Sequence, residues 1–419
     1  MFSNKYFFLM LAFDGRQRLK EACTRYSYYA STDYKLMTDN KLNILYISID
    51  PSLGGSTASL YNLIDSVREF VNPIVLFREE GVGVDFFREH GIECHVFPYI
   101  ALYAFPSNNL RDVWQHPWRW HYIKKIRFDY SCLRFVKSIL NRRKIDIVHT
   151  NTSPNDIGVL LARKLHAKHI WHVREFCDLD FHFEIYKGIP RLRKLINQAD
   201  ARIAISTAIK EHWKMPNENT WVINNAIRRG NEACYVKQKK PYILFSSYFL
   251  TEAKGTRTTI MAFAKSGMAK EGYRLKLMGN CTDDYRDSLC ETARQHSILD
   301  CLDFVPCQTD VKPWFAKATA YIMASEFEAL GRVTAEAMFY GCPVIANATG
   351  GTLDLVKDGE TGYLFNTIEE CAQLIRKVCT ESQEAMILCA QDFAVNNLSQ
   401  EVYGPKIMEV YQKIMNNPK

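Results

Sequence analysis

The feature that most constrains this chain is a unit that recurs along it: a short apolar run, a turn, then apolar residues at helical spacing. "LNILYISID" (Leu42 to Asp50) runs into "PSLGGSTASLYNLIDSV", where Leu60, Leu63, Ile64 and Val67 mark one helix face. Strand, glycine loop and helix in that order open a doubly wound α/β domain. The runs "NPIVLF", "CHVFPY", "IDIVHT", "KHIWHV" and "ARIAIS" follow, several of them separated by helical patterns, as a parallel sheet requires. "WVINNAI" closes this series. After the polar stretch "RRGNEACYVKQKK" (Arg228 to Lys240), a second series begins with "PYILFSSYF". It continues through "YRLKLMG", "LDFVP", "TAYIMAS" and "CPVIANA".

A length of 419 residues suits two such domains. The expected division is an N-terminal extension (1–41), a first domain (42–227), a linker (228–240), a second domain (241–395) and a closing helical segment (396–419) that crosses back over the junction. The thirteen cysteines include no C-x-x-C pair, which reads as thiols in a reducing compartment rather than a disulfide framework. No apolar run is long enough to span a bilayer. "YFFLMLAF" (Tyr6 to Phe13) imitates a signal core but lacks a small-residue cleavage pattern, so an extension before the first strand is expected. The net charge of +7 suits an acidic small molecule or an anionic membrane surface and is too weak to indicate nucleic acid. The expected location is cytoplasmic, peripheral on the inner face of the cell membrane.

The chemistry concentrates in "SEFEALGRVTAEAMFYGCPVIANATGG" (Ser325 to Gly351). "TAYIMAS" makes the preceding strand, and a helix starts near Gly331 or Arg332 and ends at Gly341, which Pro343 keeps from continuing. Glu328 then lies in the loop before the helix and Glu336 one turn inside it, at the sheet edge where open α/β folds bind ligands. A helix N-terminus favours a phosphate, and carboxylates beside it accept from sugar or ribose hydroxyls. The plainer reading is an exposed Arg332–Glu336 helix pair worth a few tenths of a kcal/mol. Against it, Glu336 falls on the inward stripe of Val333, Ala337 and Tyr340.

Taken in order, Glu328, Glu336-Ala-Met, Gly341-x-Pro343, Gly350-Gly351 and "DGETGYLF" (Asp358 to Phe365) resemble the signature of glycosyltransferase family 4. Gly54-Gly55, "DIVHTNTS", "ADARIAIS", "VINNAI", Lys254-Gly255 and Gly279 resemble further landmarks of that family. The resemblance runs from Leu42 to the C-terminus and is most specific in the second half. It implies the GT-B architecture: two Rossmann-like domains facing across a cleft, with a C-terminal helix packing back on the first. By the same resemblance Glu328 holds donor-sugar hydroxyls and Glu336 the nucleotide ribose. The backbone around Leu330, Gly331, Arg332 and Val333 faces the sugar and diphosphate, and Lys254 neutralises the diphosphate. Gly54 and Gly55 let backbone approach from the opposite wall, and Gly279 joins the donor contacts. Three departures stand out. "FSSYFLTEAKG" has Ser247 and Tyr248 where the family carries Gly-Arg, leaving the second phosphate contact to Arg257 or to no residue. Asp354 stands where glutamate is commoner. The family's histidine near the sugar aligns with Glu175, with His172 and Arg174 as neighbouring candidates for a catalytic or cleft-wall role.

Other signals weigh less. His166, His169 and His172 straddle a helix-to-strand junction and would not converge on a metal. Asp178-Leu-Asp180 imitates a metal-diphosphate motif without its context, and Asp283-Asp284 reads as an ordinary loop. "VWQHPWRWHYIKKIRF" (Val113 to Phe128) interleaves tryptophan with Arg119, Lys124, Lys125 and Arg127, suiting a membrane interface or lipid-linked acceptor better than nucleic acid, with a half-buried helix as the plain alternative. The expected function is a retaining transferase needing no metal or other cofactor. It would move a hexose from a nucleotide-diphosphate donor, UDP-linked by expectation, to a glycan or polyprenyl-diphosphate-linked acceptor in surface polysaccharide assembly. A sugar-nucleotide epimerase or hydrolase of the same fold, or a non-catalytic nucleotide-sugar-binding protein, are the alternatives.

Overall fold

The structure, a computed structural model, describes residues 41–104 and 118–416. The signal-like Tyr6–Phe13 and residues 113–117 of the aromatic-basic segment lie outside the described residues. Strands β1 (Leu42–Ser48), β2 (Val71–Phe77), β3 (Glu93–Val96), β4 (Tyr103–Ala104), β5 (Ile147–Asn151), β6 (Lys168–Val173), β7 (Glu184–Ile185), β8 (Ala201–Ala204) and β9 (Thr220–Val222) belong to the first half. Seven of them form a parallel sheet in the order β3-β2-β1-β5-β6-β8-β9, while β4 and β7 pair as a small antiparallel ribbon. The second half contributes β10 (Lys240–Phe249), β11 (Arg274–Asn280), β12 (Leu302–Val305), β13 (Ala318–Met323), β14 (Val344–Asn347) and β15 (Tyr363–Phe365). They form a six-stranded parallel sheet, β12-β11-β10-β13-β14-β15. In both sheets the order reverses beside the first strand, so each domain has a crevice at the carboxyl ends of its central strands.

The central strands are buried on both faces, which is why they read as continuous apolar runs: Ile44 to Ile47 and Tyr321 to Met323 are almost wholly inaccessible. The largest apolar cluster belongs to both domains. Trp171, Phe176 and Trp213 of the first join Tyr321, Leu330 and Phe339 of the second.

The chain passes between domains twice. Residues 223–239 carry it across, and it returns at Leu398–Gln400, where Ile227 N donates to Leu398 O (2.9 Å) and Gln400 N to Arg228 O (3.0 Å). The final helix, Gln400–Asn416, lies on the first domain against the Gly55–Val67 helix. Its Gly404 is there because a β-carbon would come within 2.4 Å of Ser66 O. Tyr411 of this helix reaches Tyr46 (OH to OH, 3.1 Å) and His149 Nδ1 (3.0 Å) beneath the first sheet's carboxyl edge.

The aromatic-basic segment is corrected in part. Lys125 is not a surface cation: it is buried, pairs with Asp129 (2.9 Å) and Asp156 (2.8 Å), and donates to Ile100 O (3.0 Å). Lys124, Ile126, Arg127, Phe128 and Tyr130 do face outward on the Trp118–Leu140 helix. No helix among the described residues is long and apolar enough to cross a membrane.

Candidate active site

The Glu328 loop leaves the end of β13 and is clamped by the glycines that follow β14. Gly351 N donates to Glu328 O (2.7 Å), Asn347 Nδ2 to Ser325 O (3.0 Å) and Thr349 Oγ1 to Glu326 O (2.8 Å). A β-carbon at Gly350 would meet Glu328 O at 2.4 Å, and one at Gly351 would meet Ala329 O at 2.2 Å. Only glycine lets these two backbones lie so close.

Lys254 arrives by a similar approach. Gly255, in the left-handed region (φ 74°), packs where a β-carbon would stand 2.0 Å from Ala324 O, and Glu326 N donates to Ala253 O (3.2 Å). The result is an ion pair, Lys254 Nζ to Glu328 Oε2, at 3.1 Å. With side chains 39% and 21% exposed, the pair is worth at most about 1 kcal/mol, so a ligand can replace either partner cheaply.

The helix after this loop spans Arg332–Phe339, one residue from expectation. Its N-cap, Gly331 (φ 95°), supplies no side-chain cap, and no acidic residue occupies its first turn. Its free N–H groups and positive dipole end therefore remain available to an anion. Glu336 accepts from Arg228 (Oε1 to Nη2, 2.9 Å), and Arg332 Nη1 crosses to Ser59 Oγ of the first domain (2.7 Å). The Arg332 side chain thus crosses the cleft instead of pairing with Glu336 at hydrogen-bond distance, and burial lowers its pKa.

Gly54 and Gly55 form the facing wall. Asp50 accepts from Ser52 N (2.9 Å) and Ser52 Oγ (2.6 Å), shaping the turn, and Gly54 leaves room for Asp50 Oδ2, which a β-carbon would meet at 2.7 Å. Gly55 faces the aliphatic stem of Arg332.

Of the three candidates from β6 and its loop, Glu175 keeps accessible surface. His172 is a correction: it is wholly buried beneath the wall, its Nδ1 3.2 Å from His149 Nε2. Burial, reinforced by the Arg174 charge, holds both imidazoles well below their usual pKa. Arg174 is a strut of the wall: only 4% exposed, it donates to Asn151 Oδ1 (2.6 Å) and to Asn225 Oδ1. Glu175 accepts from Ser153 N (2.8 Å) and Ser153 Oγ (2.9 Å), and burial raises its carboxyl to about 7. Asp180 accepts from Phe176 N and Cys177 N, and burial raises it to about 6 despite the nearby Lys254 charge.

Several named positions do not offer their side chains to a ligand. Leu330 is a core side chain, 2% exposed, so only its backbone can face a ligand, and Val333 packs against the same cluster. Gly279 (φ 152°) allows β11 to lie against the irregular end of β10, where a β-carbon would meet Ser247 O at 2.3 Å. Arg257 does not reach the Lys254 pair; Glu252, Ser288 and Thr292 hold it. His166 caps a helix, His169 bonds Thr150 Oγ1 (2.9 Å), and no three His, Cys, Asp or Glu converge as metal ligands among the described residues. Asp178 pairs with His212 (3.0 Å).

Sequence reasoning missed Arg228, Ser59, Ser153 and the bond from Thr207 N to Asp354 Oδ2 (2.7 Å) that joins the domains. Asp354 was visible as a departure from pattern and Ser153 as the end of "DIVHTNTS"; Arg228 and Ser59 carry no local signal.

Comparison with known proteins gives a consistent result. The model described as "Glycosyltransferase Family 4" matches residues 84–229, and "Glycosyl transferases group 1" matches residues 231–390. The N-acetyl-alpha-D-glucosaminyl L-malate synthase of Bacillus anthracis is 26% identical over 293 residues, covering 64% of this chain and 71% of that protein. An uncharacterized glycosyltransferase of Haemophilus influenzae is 28% identical over 263 residues, covering 59% and 72%. Among solved structures, Anabaena HepE in complex with UDP and glucose superposes with a TM-score of 0.72 at 19% identity, covering 89% of this chain and 100% of that one. TarM superposes at 0.68 and 12% identity, covering 90% and 99%. At these identities the superpositions establish the two-domain GT-B fold.

Proposed function

The chain belongs to glycosyltransferase family 4 and is a glycosyltransferase of the GT-B type, and on that premise we propose that it moves a hexose from UDP to a glycan or polyprenyl-diphosphate-linked acceptor, with retention and without a metal. The observation that carries this reading is the Lys254–Glu328 pair (3.1 Å) beside the uncapped start of the Arg332–Phe339 helix. A diphosphate leaving group gains negative charge as the glycosidic bond breaks. Lys254 and the helix N–H groups would meet that charge already in place, so little reorganisation is needed at the barrier. As Lys254 turns to the phosphate, Glu328 is released to accept from sugar hydroxyls. Glu336 takes the ribose. Retention follows if the acceptor attacks from the face the diphosphate leaves, with a leaving-phosphate oxygen taking the acceptor's proton. HepE has been solved with UDP and with UDP-glucose, which favours a UDP-linked donor here.

The acceptor would enter from the first domain, beside Glu175 and Asp180. The outward Lys124, Arg127, Phe128 and Tyr130 suit peripheral contact with the inner face of a membrane and a role in surface polysaccharide assembly. The hydrolase or epimerase reading would draw on Glu175 and Asp180, carboxyls that burial raises to about 7 and about 6.

The test is a panel of nucleotide sugars, with and without membrane extract, following nucleotide release. Acceptor-dependent release is expected; release without acceptor would favour hydrolysis. Glu328→Ala should reduce transfer to background while the melting temperature holds. Undiminished transfer by that variant would remove Glu328 from the site.

A further inference from the structure

Arg228 lies in the stretch that joins the domains, yet its side chain enters the donor site. Its backbone is fixed on the returning chain: it bridges Ser399, and its carbonyl accepts from Gln400 N (3.0 Å). From this anchored position its Nη2 reaches Glu336 Oε1 at 2.9 Å. Glu336 is only 12% exposed, so it is held by a charge-assisted hydrogen bond in a partly desolvated place. Its other oxygen, Oε2, accepts no hydrogen bond among the described residues. One face of the carboxylate is pinned and the other is left open.

Without that bond the carboxylate would sample several rotamers, and each hydroxyl it accepts would cost the entropy of fixing it. We infer that Arg228 is the positioning residue of the ribose site, holding Glu336 by one oxygen so that the other is presented to the ribose hydroxyls. This rests on the reading of Glu336 as the ribose carboxylate. It adds that recognition of the ribose depends on the residue at which the two crossing segments are bonded together. Removal of the guanidinium should therefore weaken the response to ribose hydroxyls specifically, and leave contacts with base and phosphate in place.

The experiment is calorimetric titration of the full chain with UDP and with 2′-deoxy- and 3′-deoxy-UDP, for the parent, Glu336→Gln, Arg228→Gln and Arg228→Lys. The parent should prefer UDP by about tenfold or more, the worth of a hydrogen bond to a charged group. Arg228→Gln should lose most of that preference while its affinity for the deoxy analogues stays within about twofold. Arg228→Lys should restore part of the preference. A merely structural Arg228 would weaken all three ligands alike, and that outcome, or an unchanged preference, overturns the inference. If the parent shows no preference, or Glu336→Gln retains it, the ribose reading of Glu336 fails instead and takes this inference with it.

Discussion

Glu175, just past the end of β6, sits where an ionised carboxylate is poorly solvated. Burial lifts its pKa from the ordinary 4.5 to about 7, against the two hydrogen bonds from Ser153 that favour the charged form. The sign follows from proton binding: between about pH 4.5 and 7 the folded protein holds a proton that the unfolded chain has released. Stability from this residue is therefore lost as pH rises through that window, and the cost is complete above it. Asp180, raised to about 6, acts in the same direction over a lower and narrower range. Glu175→Gln keeps an acceptor for Ser153 and removes the charge. Its melting temperature should exceed the parent's by several degrees at pH 8 and match it at pH 5; equal shifts at both would show that the charge carries no cost.

At the scale of elements, the Glu328 loop is ordered by glycine rather than by its own sequence. Gly351→Ala would drive a β-carbon against Ala329 O, and because that contact is backbone on backbone, the loop must move. A loss of about 1–3 kcal/mol is expected from chemical denaturation, with transfer falling further than stability, since Lys254 and Glu328 would part. Activity that fell only in step with stability would show that the clamp does not align the site. Strands β1, β5, β10 and β13 and the helix at Arg332 were legible because their signals are local: apolar period, a glycine stop, a proline after it. The rest depended on partners far along the chain. Arg228 meets Glu336 at a distance of 108 residues, and Lys125 is buried because Asp156 lies beneath it. The position of His172 was decided by which face of β6 the final helix covers, and no pattern around "WHVREF" carries that information.

For the molecule as a whole, side-chain hydrogen bonds join the two domains among the described residues at Arg332 to Ser59 and at Thr207 to Asp354. The second is exposed and worth about 1 kcal/mol, too little to hold the fold and enough to bias how the domains sit. Asp354→Ala should leave the melting temperature almost unchanged and increase the radius of gyration in small-angle scattering without nucleotide. An unchanged scattering curve would mean the Thr207–Asp354 bond does not bias the arrangement. The returning helix has a further consequence, which concerns inheritance. Tyr403, Ile407 and Tyr411 complete the core of a domain that otherwise ends near residue 227. A single recombination in the joining stretch would then give the first domain a foreign lid. Exchange of whole domains between relatives needs two breakpoints, one near Arg228 and one near Ser399, where the chain already touches itself. An exchange that keeps the final helix with the first domain therefore inserts the second domain between those two points.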